Sequence, residues 1–254
     1  MRYATAALIF VALQSCATVN FKAPHNRFLV PENSGDMLSG KIGLGYGSKS
    51  SIVLVENLAT ENPNVEKPEI QFTDGTNGVA ELSLFPLIDF FYASTGPGVK
   101  IQFWGDPETE SQTGNLSLAF AVARETASHT ETDNFGSGGT TFENKGTAKY
   151  QFNDVMALIG YRKSDSTLVY LNVANNFMEA SGNIARIKSA GTSMETSTLK
   201  IPAQKGRETS ILLGYQISSD HFFWIIEPGY SRIQWANTDT RERFTLGSAL
   251  GFKW

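Results

Sequence analysis

The residues able to do chemistry in this chain are a scattered set of charges and three histidines. Glu81, Asp89, Lys100, Glu227, Arg243 and Lys253 lie in segments where apolar and polar residues alternate. By period-two parity they share the side opposite the bulky apolar residues. Acids and bases enclosed on one face are costly unless they pair. The set therefore predicts an internal salt-bridge network, read either as a plug of paired side chains filling a narrow lumen or as a polar path for small solutes. A hydrolase would need an imidazole within hydrogen-bond reach of a hydroxyl. His129 has Ser128 beside it and Glu125 and Glu131 nearby, but neighbours in a polar loop do not supply that geometry, and His25 and His221 have less around them. No catalytic residue is assigned. With a single cysteine, no histidine cluster and no calcium-type loop, no metal or other cofactor is expected. The run Gly43-Leu44-Gly45-Tyr46-Gly47 lacks the strand–helix setting of a phosphate loop and simply keeps one strand face small.

The elements that would position these residues are strands. From Arg243 to Trp254 the positions Phe244, Leu246, Leu250, Phe252 and Trp254 alternate with Arg243, Thr245, Gly247, Ala249, Gly251 and Lys253. In the segment 115–123, Leu116, Leu118, Phe120 and Val122 oppose Ser117, Ala119 and Ala121. A soluble sheet would carry long polar side chains on its second face. Here that face is Gly, Ala and Ser, which suits the narrow interior of a barrel whose bulky face meets lipid. Only 18% of the residues are charged, below the roughly 25% of soluble domains. An open sheet cannot survive in lipid, so the strands must close. Segments at 40–56, 77–85, 87–94, 97–104, 113–126, 145–162, 166–180, 206–217, 220–234 and 242–254 predict an all-β, transmembrane, antiparallel up-and-down β-barrel of about ten strands, within bounds of 8–12. A bulge is expected near Asn153-Asp154, and long outer loops near 57–76, 127–144 and 181–205. Arg186, Lys188, Lys200 and Lys205 of the last loop could meet the phosphates of surface lipopolysaccharide.

The closing residues Leu250-Gly251-Phe252-Lys253-Trp254 resemble the C-terminal strand of bacterial outer-membrane β-barrel proteins. The resemblance implies that Phe252 and Trp254 form the signal read by the barrel-assembly machinery. At the other end, Met1-Arg2 and an apolar run from Tyr3 to Leu13 read as an export signal, too short to span a membrane. Leu13-Gln14-Ser15-Cys16 resembles a bacterial lipobox, which implies a signal peptide over 1–15 and a lipid on Cys16. Residues 16–39, with Pro24 and Pro31 and no periodicity, are expected to tether that lipid to a barrel over 40–254.

Together these features predict an integral outer-membrane (lipo)protein, not an enzyme, with a charged, largely side-chain-filled lumen and a structural or surface-contact role. Its partners would be outer-membrane lipid and lipopolysaccharide. The alternatives are a porin-like channel for small solutes, a soluble lipid-tethered β-domain and an outer-membrane hydrolase. A net charge of −4 gives no footprint for nucleic acid.

Overall fold

The computed structural model describes residues 18–254 except 66, 67, 94, 138 and 237. The export signal and Cys16 lie outside the described residues. The strands are β1 (Val19–Pro24), β2 (Gly40–Val55), β3 (Glu69–Phe85), β4 (Ile88–Ala93), β5 (Gly96–Trp104), β6 (Leu116–Ser137), β7 (Thr140–Ser164), β8 (Thr167–Ala190), β9 (Ser193–Ser218), β10 (Phe222–Trp235) and β11 (Arg241–Lys253). From β2 to β11 each strand pairs antiparallel with its successor, and β11 returns to β2 between Gly247↔Gly47 and Lys253↔Lys41. These ten strands form a closed ring, so the wall has no unpaired edge to present to lipid.

Alternation then sorts the side chains by solvent, and in the sense opposite to a water-soluble protein. Leu44, Phe244, Leu246 and Leu250 stand exposed on the outside, while Glu81, Asp89, Lys100 and Glu227 are buried inside. An apolar exterior around a charged interior is stable only where the exterior solvent is hydrocarbon. On β8 the outward positions from Val169 to Phe177, apolar except for Asn175, rise roughly 20 Å at a 40° tilt, close to the height of a bilayer's apolar band.

One end of the ring carries tight turns at 86–87, 165–166 and 219–221, and there Trp254 and Gly40 exchange backbone hydrogen bonds of 3.0 Å each way. At the other end β6–β9 run far beyond the apolar belt. The expected loops 127–144 and 181–205 are instead two long hairpins, paired to their tips at Ser137↔Thr140 and Ala190↔Ser193. Gly139 and Gly191 take the positive φ that their turns need. The hairpins escape a search for bulky alternation because, outside lipid, their outward face no longer needs apolar residues. We call this four-stranded extension the blade.

Two further expectations are corrected. No bulge occurs at Asn153-Asp154: the pairing Arg124↔Asn153 and Ala123↔Asp154 is continuous, and Asp154 breaks the apolar pattern because it points inward to an ion pair. Trp104, which period-two parity with Lys100 and Gln102 places inside, is exposed, since the register slips between Gln102 and Trp104.

The largest correction concerns residues 16–39. Beyond Thr18 they are no tether. β1 pairs with the upper half of β2, from Val19↔Val55 to Pro24↔Lys49, where β2 has parted from β11. The chain then runs down the inside of the ring, with His25 through Asn33 wholly buried.

Candidate functional site

The small residues of the inner wall are shaped to this internal segment. A Cβ on Gly45 would stand 2.6 Å from the Phe28 ring, one on Gly247 2.5 Å from Asn26, and one on Gly160 2.4 Å from Pro31. Phe28, Leu29 and Val30 pack against Ala119, Ala121, Met156, Leu158 and Ala249 of the wall. Phe28 holds a left-handed φ of 55°, a conformation that costs about 1–3 kcal/mol in a non-glycine residue. Directly across from it, the Glu227 carboxylate accepts hydrogen bonds from the backbone N–H of Arg27 (2.9 Å) and of Phe28 (3.3 Å), from the Asn26 amide (3.3 Å) and from the Tyr170 hydroxyl (3.0 Å). The wall therefore offsets the strain of the turn. Gly45→Leu is expected to lower unfolding stability by about 1–3 kcal/mol through overpacking against Phe28. Gly78→Leu, at a lipid-facing position where a Cβ meets nothing within 4 Å, should change it by less than about 0.5 kcal/mol. Thermal unfolding in detergent micelles measures both.

The segment is pinned by buried charges along its length. Near the blade end, His25 Nδ1 lies 2.8 Å from Glu208 Oε1 and Nε2 lies 2.9 Å from Ser50 Oγ. An ionised carboxylate can only accept, so Nδ1–H donates to Glu208, while Nε2 meets the Ser50 hydroxyl. Arg27 Nε donates to Asp154 at 2.7 Å, and its guanidinium also lies 3.7 Å from Glu208. Lower down, Lys100 Nζ reaches Glu81 at 2.5 Å and Asp89 at 3.2 Å, and donates to the carbonyls of Val30 and Glu32, both at 3.1 Å. Lys41 stands 3.0 Å from the other Glu81 oxygen. Glu32 forms a forked pair with Arg162, and the Asn33 and Ser34 N–H groups donate to Gln102 and Asp89.

Of the six charges picked out by parity, the fold brings Glu81, Asp89 and Lys100 into one cluster. It sets Glu227 apart under the segment's turn. Arg243 leaves the lumen for the rim, bonding Asp74 and the Thr73 carbonyl at 2.9 Å each. Lys253 sits at the tight-turn end, 2.9 Å from Glu108. Asp154, Arg162 and Glu208 escaped notice, although parity within their strands would have placed them inside. Arg27, Glu32 and His25 could not be found that way, because their segment has no period.

Glu108 belongs to the loop 105–115, outside the membrane-spanning strands. Burial alone would raise its carboxyl, but Lys41 and Lys253, with Arg162, hold it below the ordinary value of 4.5. A carboxyl with a depressed folded-state pKa contributes stability that is present above its unfolded value and is lost as pH falls through the folded one. Docking of loop 105–115 should therefore hold above pH 4.5 and weaken as the pH falls below it. Limited proteolysis of the loop across that range checks this, and Glu108→Gln should abolish the pH dependence.

The Ser50–His25–Glu208 array has the order of a hydrolytic triad, yet all three side chains are sealed. Sealing leaves a carbonyl substrate no path to Ser50 Oγ, so the array works as a clamp on the segment. His129 faces Glu131 at 2.9 Å, two residues along the same strand face, while Ser128 turns to the opposite face. The basic set expected to meet lipopolysaccharide is dispersed. Arg186 is engaged by Asn144 and the carbonyls of Thr60 and Glu61, Lys188 lies 3.8 Å from Glu195, and Lys205 lies 3.8 Å from Glu179. Among the described residues no cluster of three or more His, Cys, Asp or Glu could hold a metal ion.

A closed up-and-down ring, apolar outside and charged inside, is the architecture of an outer-membrane β-barrel protein. No protein-family model and no curated protein matches the chain. Among solved structures it is similar to Ail, the attachment invasion locus protein of Yersinia pestis, with 11% identity over 86% of this chain and 100% of that one (TM-score 0.33). It is similar also to the outer-membrane channel DcaP of Acinetobacter baumannii, with 8% identity over 89% of this chain and 100% of that one (TM-score 0.19). A third similarity is to the outer-membrane protease OmpT from Escherichia coli, with 8% identity over 87% of this chain and 95% of that one (TM-score 0.21).

Proposed function

We propose that this chain is an integral protein of a bacterial outer membrane, closed to solutes by its own N-terminal segment, and that it serves a structural or surface-contact role through its blade rather than transport or catalysis. The observation that carries this reading is the complete burial of His25 through Asn33 across the lumen. Short turns at one end and long hairpins at the other support an orientation with the turns in the periplasm and the blade outside. Arg124, Arg207 and Arg232 stand outward just above the apolar belt, at the height of lipopolysaccharide phosphates, which favours contact with that lipid. On the lower rim, the exposed Phe252 ring lies 4.8 Å from Phe222 and Trp254 closes the ring on Gly40, a surface suited to the assembly machinery.

Planar-bilayer recording of the purified, folded protein tests the closed state. The intact chain should insert without steady conductance. Regular open steps from the intact protein would instead make it a channel.

A further inference from the structure

We infer that the internal segment runs from the outer surface to the periplasm, so that its N-terminal end at Thr18 opens on the outer side of the membrane. This rests on the orientation proposed above. The observation is the direction of the segment. Val19 pairs with Val55 at the blade end of β2, and its Cγ2 fills the place where a Cβ on Gly146 would stand, 2.3 Å away. Gly146 lies nine residues beyond Val155, the last apolar residue of the belt on β7, which is roughly 20 Å above the membrane at the usual strand tilt. From there the chain descends through His25, Arg27 and Glu32 to Ser34, whose N–H meets Asp89, and to Ser39 at the tight-turn end.

The bonds that hold this direction are not interchangeable between ends. The upper half of the segment meets Glu208, Asp154 and Glu227 with a histidine, an arginine and backbone N–H groups, whereas the lower half meets Lys100 and Arg162 with carbonyls and Glu32. Reversed, the segment would set Glu32 near Glu208 and Arg27 near Lys100 and Arg162.

One consequence concerns the lipid expected on Cys16. Two residues extend no more than about 7 Å. An acyl group there would be held at the outer end, far from the periplasmic leaflet, so it could not serve as a periplasmic anchor.

The test uses the full chain with an epitope inserted before Thr18, and two orientation controls with the epitope at Gly191-Thr192 or at Ser219-Asp220. Antibody binding to intact cells is compared with binding after permeabilisation. The heat-dependent gel shift of each variant reports folding. Signal from intact cells at Thr18 and Gly191 but not at Ser219 is expected. Signal at Gly191 from intact cells, with Thr18 reached only after permeabilisation, would overturn the inference and leave the orientation standing. Signal at Ser219 but not Gly191 from intact cells would overturn the orientation itself. If the inserted epitope blocks assembly, Thr18→Cys in a Cys16→Ser background, labelled with a membrane-impermeant maleimide, gives the same reading. Labelling equal to that of Gly191→Cys supports the inference, and labelling no higher than that of Ser219→Cys overturns it.

Discussion

Lys100→Met should cost about 3–5 kcal/mol of unfolding stability, seen as an early loss of the folded gel band when the detergent-solubilised barrel is heated. The magnitude follows from what is left behind. Glu81 and Asp89 would stay buried, with only Lys41 beside one Glu81 oxygen, and the carbonyls of Val30 and Glu32 would lose their donor. Uncompensated buried carboxylates are far more costly than the intact pair is favourable. For that reason the double variant Asp89→Asn, Lys100→Met should recover much of the loss, because it neutralises the carboxylate that has lost its cation and leaves Glu81 paired with Lys41. A Lys100→Met barrel that melts with the parent would mean that water reaches the cluster and that the segment does not seal the lumen.

Removal of residues 18–34 should convert a silent barrel into a conducting one. Without the segment, the inner faces of β2, β6 and β11 present Gly43, Gly45, Gly47, Ala119, Ala121, Gly247 and Ala249, too small to meet across the ring. The remaining buried wall charges are Glu81, Asp89, Asp154, Glu208 and Glu227 against Lys41, Lys100 and Arg162, five acids to three bases. The opened pore should therefore prefer cations, and planar-bilayer recordings with a salt gradient read both the opening and the sign of selectivity. The gel shift establishes that the shortened chain still closes a barrel. An assembled but silent variant would show that the wall side chains block the lumen unaided. Anion selectivity would contradict the inward placement of the carboxylates.

The wall was legible from sequence because lipid imposes a strict rule on strands. Bulky residues such as Phe244, Leu246, Leu250 and Phe252 must alternate with inward ones, and closure follows from the need to pair every backbone group. The ten ring strands and the small inner face are therefore readable from residues alone, and so is the inward placement of Glu81, Asp89, Lys100 and Glu227. The same rule explains what it misses. Above the belt the outer face meets water, and the inner face packs on β1 and Leu58 through mixed residues such as Asn144, Gly146, Ala148 and Ile184, so the hairpins of β6–β9 carry no such code and read as loops.

The use of the small inner face was decided only in three dimensions. Period-two alternation reports that Gly45, Gly247 and Ala119 line an interior, but not what occupies it. The occupant is the aperiodic stretch 25–34, whose backbone groups bond to wall side chains 55 to 200 residues away in sequence rather than to one another, so it follows no local periodicity. Arg27 and Glu32 resemble solvated linker charges until Asp154 and Arg162 stand opposite them. The wall's composition was written locally, strand by strand, whereas the closure of its lumen is a set of long-range pairings that exist only once the ring has formed around the segment.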